Sequence, residues 1–400
     1  MTQKENISSF RKPVAYKVAG VYSGFFLYVG IVLPFWALWL AKVGMSPGEI
    51  GFLLGFPSLL KVLSSPFIAQ LCDKWGTVRR PMMVLQALAS FFFVGYFFIS
   101  SFSHFVLVTL LFSVALSAMS PLMESYAVRT CDKYGLQYGR VRSVGSIVFV
   151  LVSVLFGKYL DHFGYDNFLY FCLGSLVITF FAVFFLPREE RKPAPLHTEQ
   201  GAEGLSPLKF LLTSRPFIMF LVVLSLIQMS HGFVYVMGSI HWATQGLDNG
   251  AIGVLWAIGV VAEVLVFIFG GRLVSRVRPM YLLAIIAAFG AVRWIVLAQT
   301  SSLPLLVIVQ TFHGLTYGAS HLVAMYYLST RVPDKYFTTA QSLYSSVPMG
   351  MALGLVMLLS GPLYDVFGGQ TYYFMAGLCL LVLFMVRSVR RVENESSPPK

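Results

Sequence analysis

The chain has 400 residues, of which 57% are hydrophobic and only 12% charged, and its formal net charge is +12. A soluble domain carries about twice that share of charge, and no soluble core of this size hides so much apolar surface. A water-soluble fold is thereby excluded, and the bilayer is implicated, where roughly 20 apolar residues cross a hydrocarbon core of about 30 Å as helix.

Twelve apolar runs of that length follow in chain order, near 16–41, 47–71, 81–101, 104–128, 141–163, 167–186, 216–242, 249–271, 280–300, 303–330, 337–363 and 370–387. A buried soluble bundle would need polar stripes at a 3.6-residue period, whereas stretches such as Phe91 to Ile99 are apolar all round. The predicted fold is an all-α polytopic membrane protein of twelve transmembrane helices. The first run follows a basic leader (Lys4, Arg11, Lys12, Lys17), as in a signal peptide. It is too long for one, and no small-residue cleavage site precedes Trp36 and Trp39, so it is expected to stay as a span.

Charge placement gives the topology. With the N-terminus in the cytoplasm, 25 of the 29 Lys and Arg fall in cytoplasmic segments or at their helix ends. Lys42 and Lys158 fall opposite, and Lys61 and Arg293 lie inside spans. This positive-inside asymmetry predicts an inner-membrane protein with both termini cytoplasmic. The basicity is topological, and no nucleic-acid partner is expected. Cys72, Cys131, Cys172 and Cys379 are scattered without a C-x-x-C spacing, which suggests neither a disulfide framework nor a zinc site.

The sequence repeats itself. Ile50-Gly51 matches Ile252-Gly253, Arg80-Pro81-Met82 matches Arg278-Pro279-Met280, and Gly157-x-x-x-Asp161-x-Phe163-Gly164 matches Gly361-x-x-x-Asp365-x-Phe367-Gly368, at offsets of 202, 198 and 204. Three matches in chain order at nearly one offset predict two six-helix pseudo-repeats, residues 1–187 and 216–400, joined by a polar cytoplasmic linker at 188–215. Paired halves of this kind enclose a cavity near the bilayer midplane, which rocking exposes to each side in turn.

An ionised side chain at the centre of a span costs about 2.5 to 3.5 kcal/mol on insertion scales, so each needs a partner or a purpose. Here they are few: Glu124 late in the fourth span, Arg142 early in the fifth, Glu263 in the eighth and Arg293 in the ninth, with His313 in the tenth. If the turn between spans four and five centres on Lys133, Glu124 and Arg142 lie nine residues to either side and share a depth. A turn centred on Arg278 puts Glu263 and Arg293 each fifteen residues away, about 22 Å along a helix. A turn at Leu303 puts Arg293 and His313 each ten away. Glu263, Arg293 and His313 are therefore expected in one layer, where opposite charges can pair beside a titratable imidazole. His231 and Tyr235 on span seven are weaker candidates. Among the aromatic residues, Tyr28, Phe35, Trp36, Trp256, Tyr317 and Tyr344 are candidates for the cavity lining. No H-E-x-x-H, G-x-S-x-G, Walker loop or carboxylate cluster is present, so an enzyme is not expected.

The run Gly30-Ile31-x-Leu33-Pro34-Phe35-Trp36-x-x-Trp39-Leu40, with Tyr138-Gly139-Arg140-Val141-Arg142-x-x-Gly145-Ser146, Gly259-Val260-Val261-Ala262-Glu263-Val264, Val292-Arg293-Trp294, Gln310-x-x-His313-Gly314 and His321-Leu322-x-Ala324-Met325, resembles the 3-phenylpropionic acid transporter-like members of the major facilitator superfamily, near the lactose permease group of proton symporters. The resemblance implies a twelve-helix transporter working by alternating access in a bacterial inner membrane, as a monomer. It also implies that Glu124 and Arg142 match an acid and an arginine that bind solute, and that Glu263, Arg293 and His313 match a binding and proton-coupling network. Trp36, Tyr28 and Tyr235 join Glu124 and Arg142 as expected substrate-binding residues. Between spans two and three, Asp73, Gly76, Arg79 and Arg80 fit the superfamily's gate-loop signature, while Ala69 replaces its usual glycine.

The departures move the expectation. Thr316 stands where lactose permease has a carboxylate three residues after its histidine, the span-seven aspartates have no counterpart within 216–242, and span eleven lacks a lysine. Glu263 becomes the expected proton site. The leading expectation is a proton-coupled importer of a small organic solute, such as 3-phenylpropionate or a related aromatic acid, held by Arg142 or Arg293. The proton is the coupling ion, with no cofactor and no metal. The alternatives are a drug or metabolite:proton exporter and a sugar or nucleoside:proton symporter.

Overall fold

The computed structural model describes residues 3–75, 77–99, 101–188 and 207–395. The described residues form twelve long helices: α1 (Gln3–Lys42), α2 (Pro47–Trp75), α3 (Arg79–Val94, closing in a 3-10 turn), α4 (Phe102–Ser117 and Met119–Tyr134), α5 (Tyr138–Phe163) and α6 (Phe168–Phe184), then α7 (Arg215–Met229, resuming at Ser239–Thr244), α8 (Asn249–Phe269), α9 (Pro279–Gln299), α10 (Leu303–His313 and Ser320–Arg331), α11 (Phe337–Ser346 and Leu353–Phe367) and α12 (Thr371–Glu395). By length and hydropathy alone, eight helical runs of the described residues suffice to cross a membrane, and one of them, Asp334–Met385, contains both α11 and most of α12. Of the expected linker at 188–215, residues 189–206 lie outside the described residues, and Pro207–Thr213 form a short helix ahead of α7.

Local chemistry sets the helix ends, and it repeats. α2 begins with a capping box: Glu49 Oε2 accepts from the backbone N–H of Ser46 at 2.9 Å, and Ser46 Oγ accepts from the Glu49 N–H at 3.3 Å. In the same place at the start of α8, Asp248 Oδ1 accepts from the Ala251 N–H at 2.6 Å. The turns entering these helices use Gly44 at φ +92° and Gly246 at φ +89°, and α5 and α11 stop at Gly164 (φ +69°) and Gly368 (φ +53°). Only glycine adopts that region without a Cβ penalty. Among the described residues, four of the five positive-φ glycines therefore pair at the repeat's own spacing.

The helices are not uniform. α4 breaks at Ala118, ahead of Pro121, whose missing N–H frees the carbonyl four residues earlier. Three π-helical turns interrupt helices of the second half: Val234–Gly238 in α7, Gly314–Ala319 in α10 and Val347–Ala352 in α11. Such turns concentrate at functional sites, because the inserted residue rotates the side chains that follow.

The chain divides into two compact units, Met1–Trp39 with Leu60–Gln200, and Leu40–Leu59 with Gly201–Lys400. In the first, Val18, Tyr22, Met82, Met119, Leu122 and Tyr126 belong to one buried cluster. A second, aromatic cluster stacks Trp36 on Trp39 (4.9 Å between ring centroids) and sets it edge-on to Tyr96 (5.0 Å). In the second unit, the start of α2 lies directly on α11. A Cβ on Gly51 would meet the Gly361 nitrogen at 2.9 Å, one on Gly55 the Leu358 nitrogen at 2.4 Å, and one on Gly361 the Pro47 oxygen at 2.0 Å. Small residues four apart let two backbones touch, which is how helices associate where lipid removes the hydrophobic drive.

Candidate functional site

Two polar clusters lie within the helices, one in each unit. In the first unit, Arg142 Nε donates to Glu124 Oε1 at 3.1 Å, and both side chains are about one-third exposed, at 33% and 32%. Glu124 Oε2 also accepts from the hydroxyl of Tyr22 at 2.8 Å and from that of Tyr138. The guanidinium lies 4.7 Å above the Phe26 ring and 5.5 Å from the Tyr22 ring, within cation–π range. Phe26 is seated by Gly145, where a Cβ would come within 2.7 Å of the ring. The pairing of Glu124 with Arg142 matches the expectation, but its geometry does not. The connection runs from Tyr134 to Tyr138 rather than about Lys133, so Arg142 sits one turn into α5 while Glu124 is ten residues from the end of α4. Two long side chains bridge that offset.

In the second unit, Arg293 is buried, 1% exposed. It donates to Gln310 Oε1 at 2.8 Å and to Thr316 Oγ1 at 3.1 Å, and its Nη1 lies 3.4 Å from His313 Nδ1. All three of these acceptors are uncharged. On the far side of the imidazole, His313 Nε2 lies 3.8 Å from Glu263 Oε2, and the Glu263 side chain is 22% exposed. Glu263, His313 and Arg293 do share one layer. In that layer the histidine stands beside both Glu263 and Arg293. Close helix approach makes this possible: a Cβ on Gly314 would meet the Ala262 oxygen at 2.5 Å, one on Gly259 the His313 ring at 3.4 Å, and one on Gly318 the Glu263 Cγ at 3.3 Å. These glycines bring α8 against α10 and so bring acid to imidazole.

The row continues beyond Arg293. Thr316 Oγ1 lies 3.0 Å from His231 Nε2, and His231 Nδ1 lies 3.0 Å from the Ile227 carbonyl oxygen. A carbonyl only accepts, so the ring carries a hydrogen on Nδ1. The Thr316 hydroxyl also lies 3.0 Å from the Phe312 carbonyl oxygen, to which it donates. His313 stacks on Tyr317 with centroids 5.3 Å apart and planes at 9°, and Tyr235 stacks on Trp256 at 6.0 Å and 18°. Thr316 and Tyr317 lie in the π turn of α10 and Tyr235 in that of α7.

The remaining expected residues separate. Tyr235 belongs to the second-unit network. Trp36 and Tyr28 are buried in the aromatic packing of the first unit, Trp36 against Trp39 and Tyr28 edge-on to Phe112 at 6.0 Å. The side chain of Asp73, in the last turn of α2, and Gly76 after it lie outside what is described. Arg80 is exposed. Arg79 donates to the backbone oxygens of Val183 (3.4 Å) and Phe184, at the C-terminal end of α6. A cation there satisfies orphan carbonyls and complements the helix dipole. Sequence reasoning gave no site role to Tyr22, Tyr138 or Phe26 at the first cluster.

Known proteins place the chain. The family model described as the MFS_1 like family matches residues 15–375. A protein of Escherichia coli K12 described as a probable 3-phenylpropionic acid transporter is 32% identical over 366 residues, covering 92% of this chain and 95% of that one. The maltose permease of Geobacillus stearothermophilus is 27% identical over 388 residues, covering 92% and 94%. Among solved structures, the nucleoside transporter NupG superposes with a TM-score of 0.80 at 15% identity, covering 94% of this chain and 98% of its own, a likeness of fold. With the family model spanning most of the chain and the twelve-helix architecture shared, this multi-pass membrane protein is a transporter of the MFS_1-like family within the major facilitator superfamily.

Proposed function

We propose that the protein is a proton-coupled importer of a small organic acid, with an aromatic monocarboxylate as the solute, working by alternating access as a monomer in a bacterial inner membrane with both termini cytoplasmic. The observation that carries this reading is the difference between the two arginines. Arg142 is one-third exposed and lies over two aromatic faces, whereas Arg293 is sealed from solvent. A guanidinium that is reachable and flanked by rings suits a carboxylate on an aromatic body. Arg142 is therefore assigned the solute, and Arg293 the role of holding His313 and Thr316. Glu263, partly exposed and facing a neutral imidazole, exchanges the proton. The name of the Escherichia coli relative supports the solute class.

Proteoliposomes test the assignment. Under an inward pH gradient the wild type accumulates labelled 3-phenylpropionate, and Glu263→Gln loses accumulation while keeping counterflow, which needs no proton cycle. Accumulation by Glu263→Gln as steep as that of wild type removes Glu263 from the proton role. A second reading, a sugar or nucleoside symporter, draws on the acid–guanidinium pair of Glu124 and Arg142, which offers both donor and acceptor, and on the maltose permease relative. Maltose and nucleosides in the same vesicles decide between the two.

A further inference from the structure

The acid of the first-unit cluster is already occupied. A carboxylate offers about two lone-pair sites on each oxygen. On Glu124, the phenols of Tyr22 and Tyr138 fill Oε2, and Arg142 Nε takes one site on Oε1. Arg142 is in the reverse condition. Its Nε is committed to the acid, its Nη1 reaches Ser146 Oγ only at 3.4 Å, and its Nη2 makes no hydrogen bond among the described residues. Of the five N–H donors of a guanidinium, most remain to be offered. The carboxylate is thus left with about one open acceptor site, on Oε1, against several open guanidinium donors.

A hydroxylated solute needs both, because every hydroxyl brings a hydrogen as well as lone pairs, and leaving that hydrogen unpaired on binding costs about 1 to 3 kcal/mol. A carboxylate brings lone pairs alone. The phenols also hold Glu124 on the Nε side of Arg142, which keeps it from competing with an incoming anion for the Nη edge. Both phenol hydroxyls are spent on this one acid. Tyr22 is fully buried with its hydroxyl on Glu124, and Tyr138 opens α5 with its hydroxyl on the same oxygen.

We infer that Tyr22 and Tyr138 are specificity-determining residues, which fill the acceptor sites of Glu124 and so turn an acid–guanidinium pair into a receptor for carboxylate-bearing rather than hydroxyl-bearing solutes. The inference rests on the organic-acid reading above. The test compares affinities of purified protein for 3-phenylpropionate and for the alcohol 3-phenylpropan-1-ol, of the same length and ring. Wild type prefers the acid. In Tyr22→Phe/Tyr138→Phe, which keeps both rings and frees both sites on Oε2, the acid-to-alcohol preference falls about tenfold, the equivalent of one net hydrogen bond. If the double variant does not fold, Tyr138→Phe alone decides, with a smaller shift in the same direction. A folded variant that keeps the wild-type preference overturns the inference and leaves the organic-acid reading standing. A wild type that binds alcohol or sugar but not the acid overturns both.

Discussion

Arg293 Nη1 stands 3.4 Å from Nδ1 of His313, a spacing that favours one tautomer of the imidazole. A guanidinium only donates, so Nδ1 is a bare lone pair and the ring hydrogen sits on Nε2, toward Glu263. A second proton on the ring would set N–H against N–H. The histidine stands between a carboxylate and a guanidinium, and protonation of the acid changes the charge without breaking the contact to Arg293.

The pH dependence of transport follows from this. If Glu263 is the group loaded at the acidic face, as proposed above, uptake rises as external pH falls and declines as pH rises and the carboxylate stays ionised. Glu263→Gln is expected to flatten the profile. His313→Gln, which keeps an acceptor and a donor in place of the ring, is expected to lower the rate while the shape of the profile persists. Initial uptake rates across external pH values, at fixed internal pH, check both.

Arg142→Gln is expected to abolish high-affinity binding with little loss of fold, because the side chain is one-third exposed. Charge-assisted hydrogen bonds contribute about 1.5 to 3 kcal/mol each, so affinity falls about tenfold to a hundredfold. Arg293→Gln behaves in the opposite way. It removes a buried cation from three acceptors and is expected to lower the melting temperature in detergent first. Calorimetry beside ligand titration separates the two.

Gly314→Ala is expected to force α8 from α10, since its Cβ would lie 2.5 Å from the Ala262 oxygen. Overpacking of this kind costs about 1 to 3 kcal/mol, and here it also parts Glu263 from His313. Gly139→Ala is the control: the added Cβ meets nothing within 4 Å. Thermal unfolding should show a loss for the first and no loss for the second.

Arg79→Gln is expected to loosen the junction between the start of α3 and the end of α6 by about 1 kcal/mol, the net worth of a hydrogen bond to a helix's last carbonyls. Faster proteolysis between α2 and α3, measured against wild type under identical detergent, reads this out. Unchanged proteolysis would mean that the contact adds nothing.

The charged part of the site was legible because charge is conspicuous in a chain that is 57% hydrophobic. Glu124, Arg142, Glu263, Arg293 and His313 stand out against apolar spans, and hairpin counting sorts them into the two clusters that the helices form. Counting does not reveal that His313 stands beside both Glu263 and Arg293, since that depends on three glycines setting the gap between α8 and α10. The phenols were hidden for the opposite reason. With aromatic residues at 16% of the chain, nothing distinguishes Tyr22 or Tyr138 from packing rings until their hydroxyls are seen on one carboxylate oxygen. Trp36 and Tyr28 show the converse, conspicuous in the sequence and packed as core. The π turns carry no readable signature beyond scattered Gly and Pro.

The seating of residues 40–59 with the second unit has a consequence for dissecting the protein. Cutting the chain between α6 and α7 gives two fragments of nearly equal length, yet neither matches a compact unit. The C-terminal fragment, made alone, would leave bare the strip of α11 backbone around Gly361 that Pro47 and Gly51 cover. No side chain on that strip can substitute for the missing helix, because the contact is backbone against backbone. Complementation of separately expressed halves would then depend on the first fragment lending this one segment, and the segment, more than the intervening loop, is the stitch that makes the polypeptide indivisible.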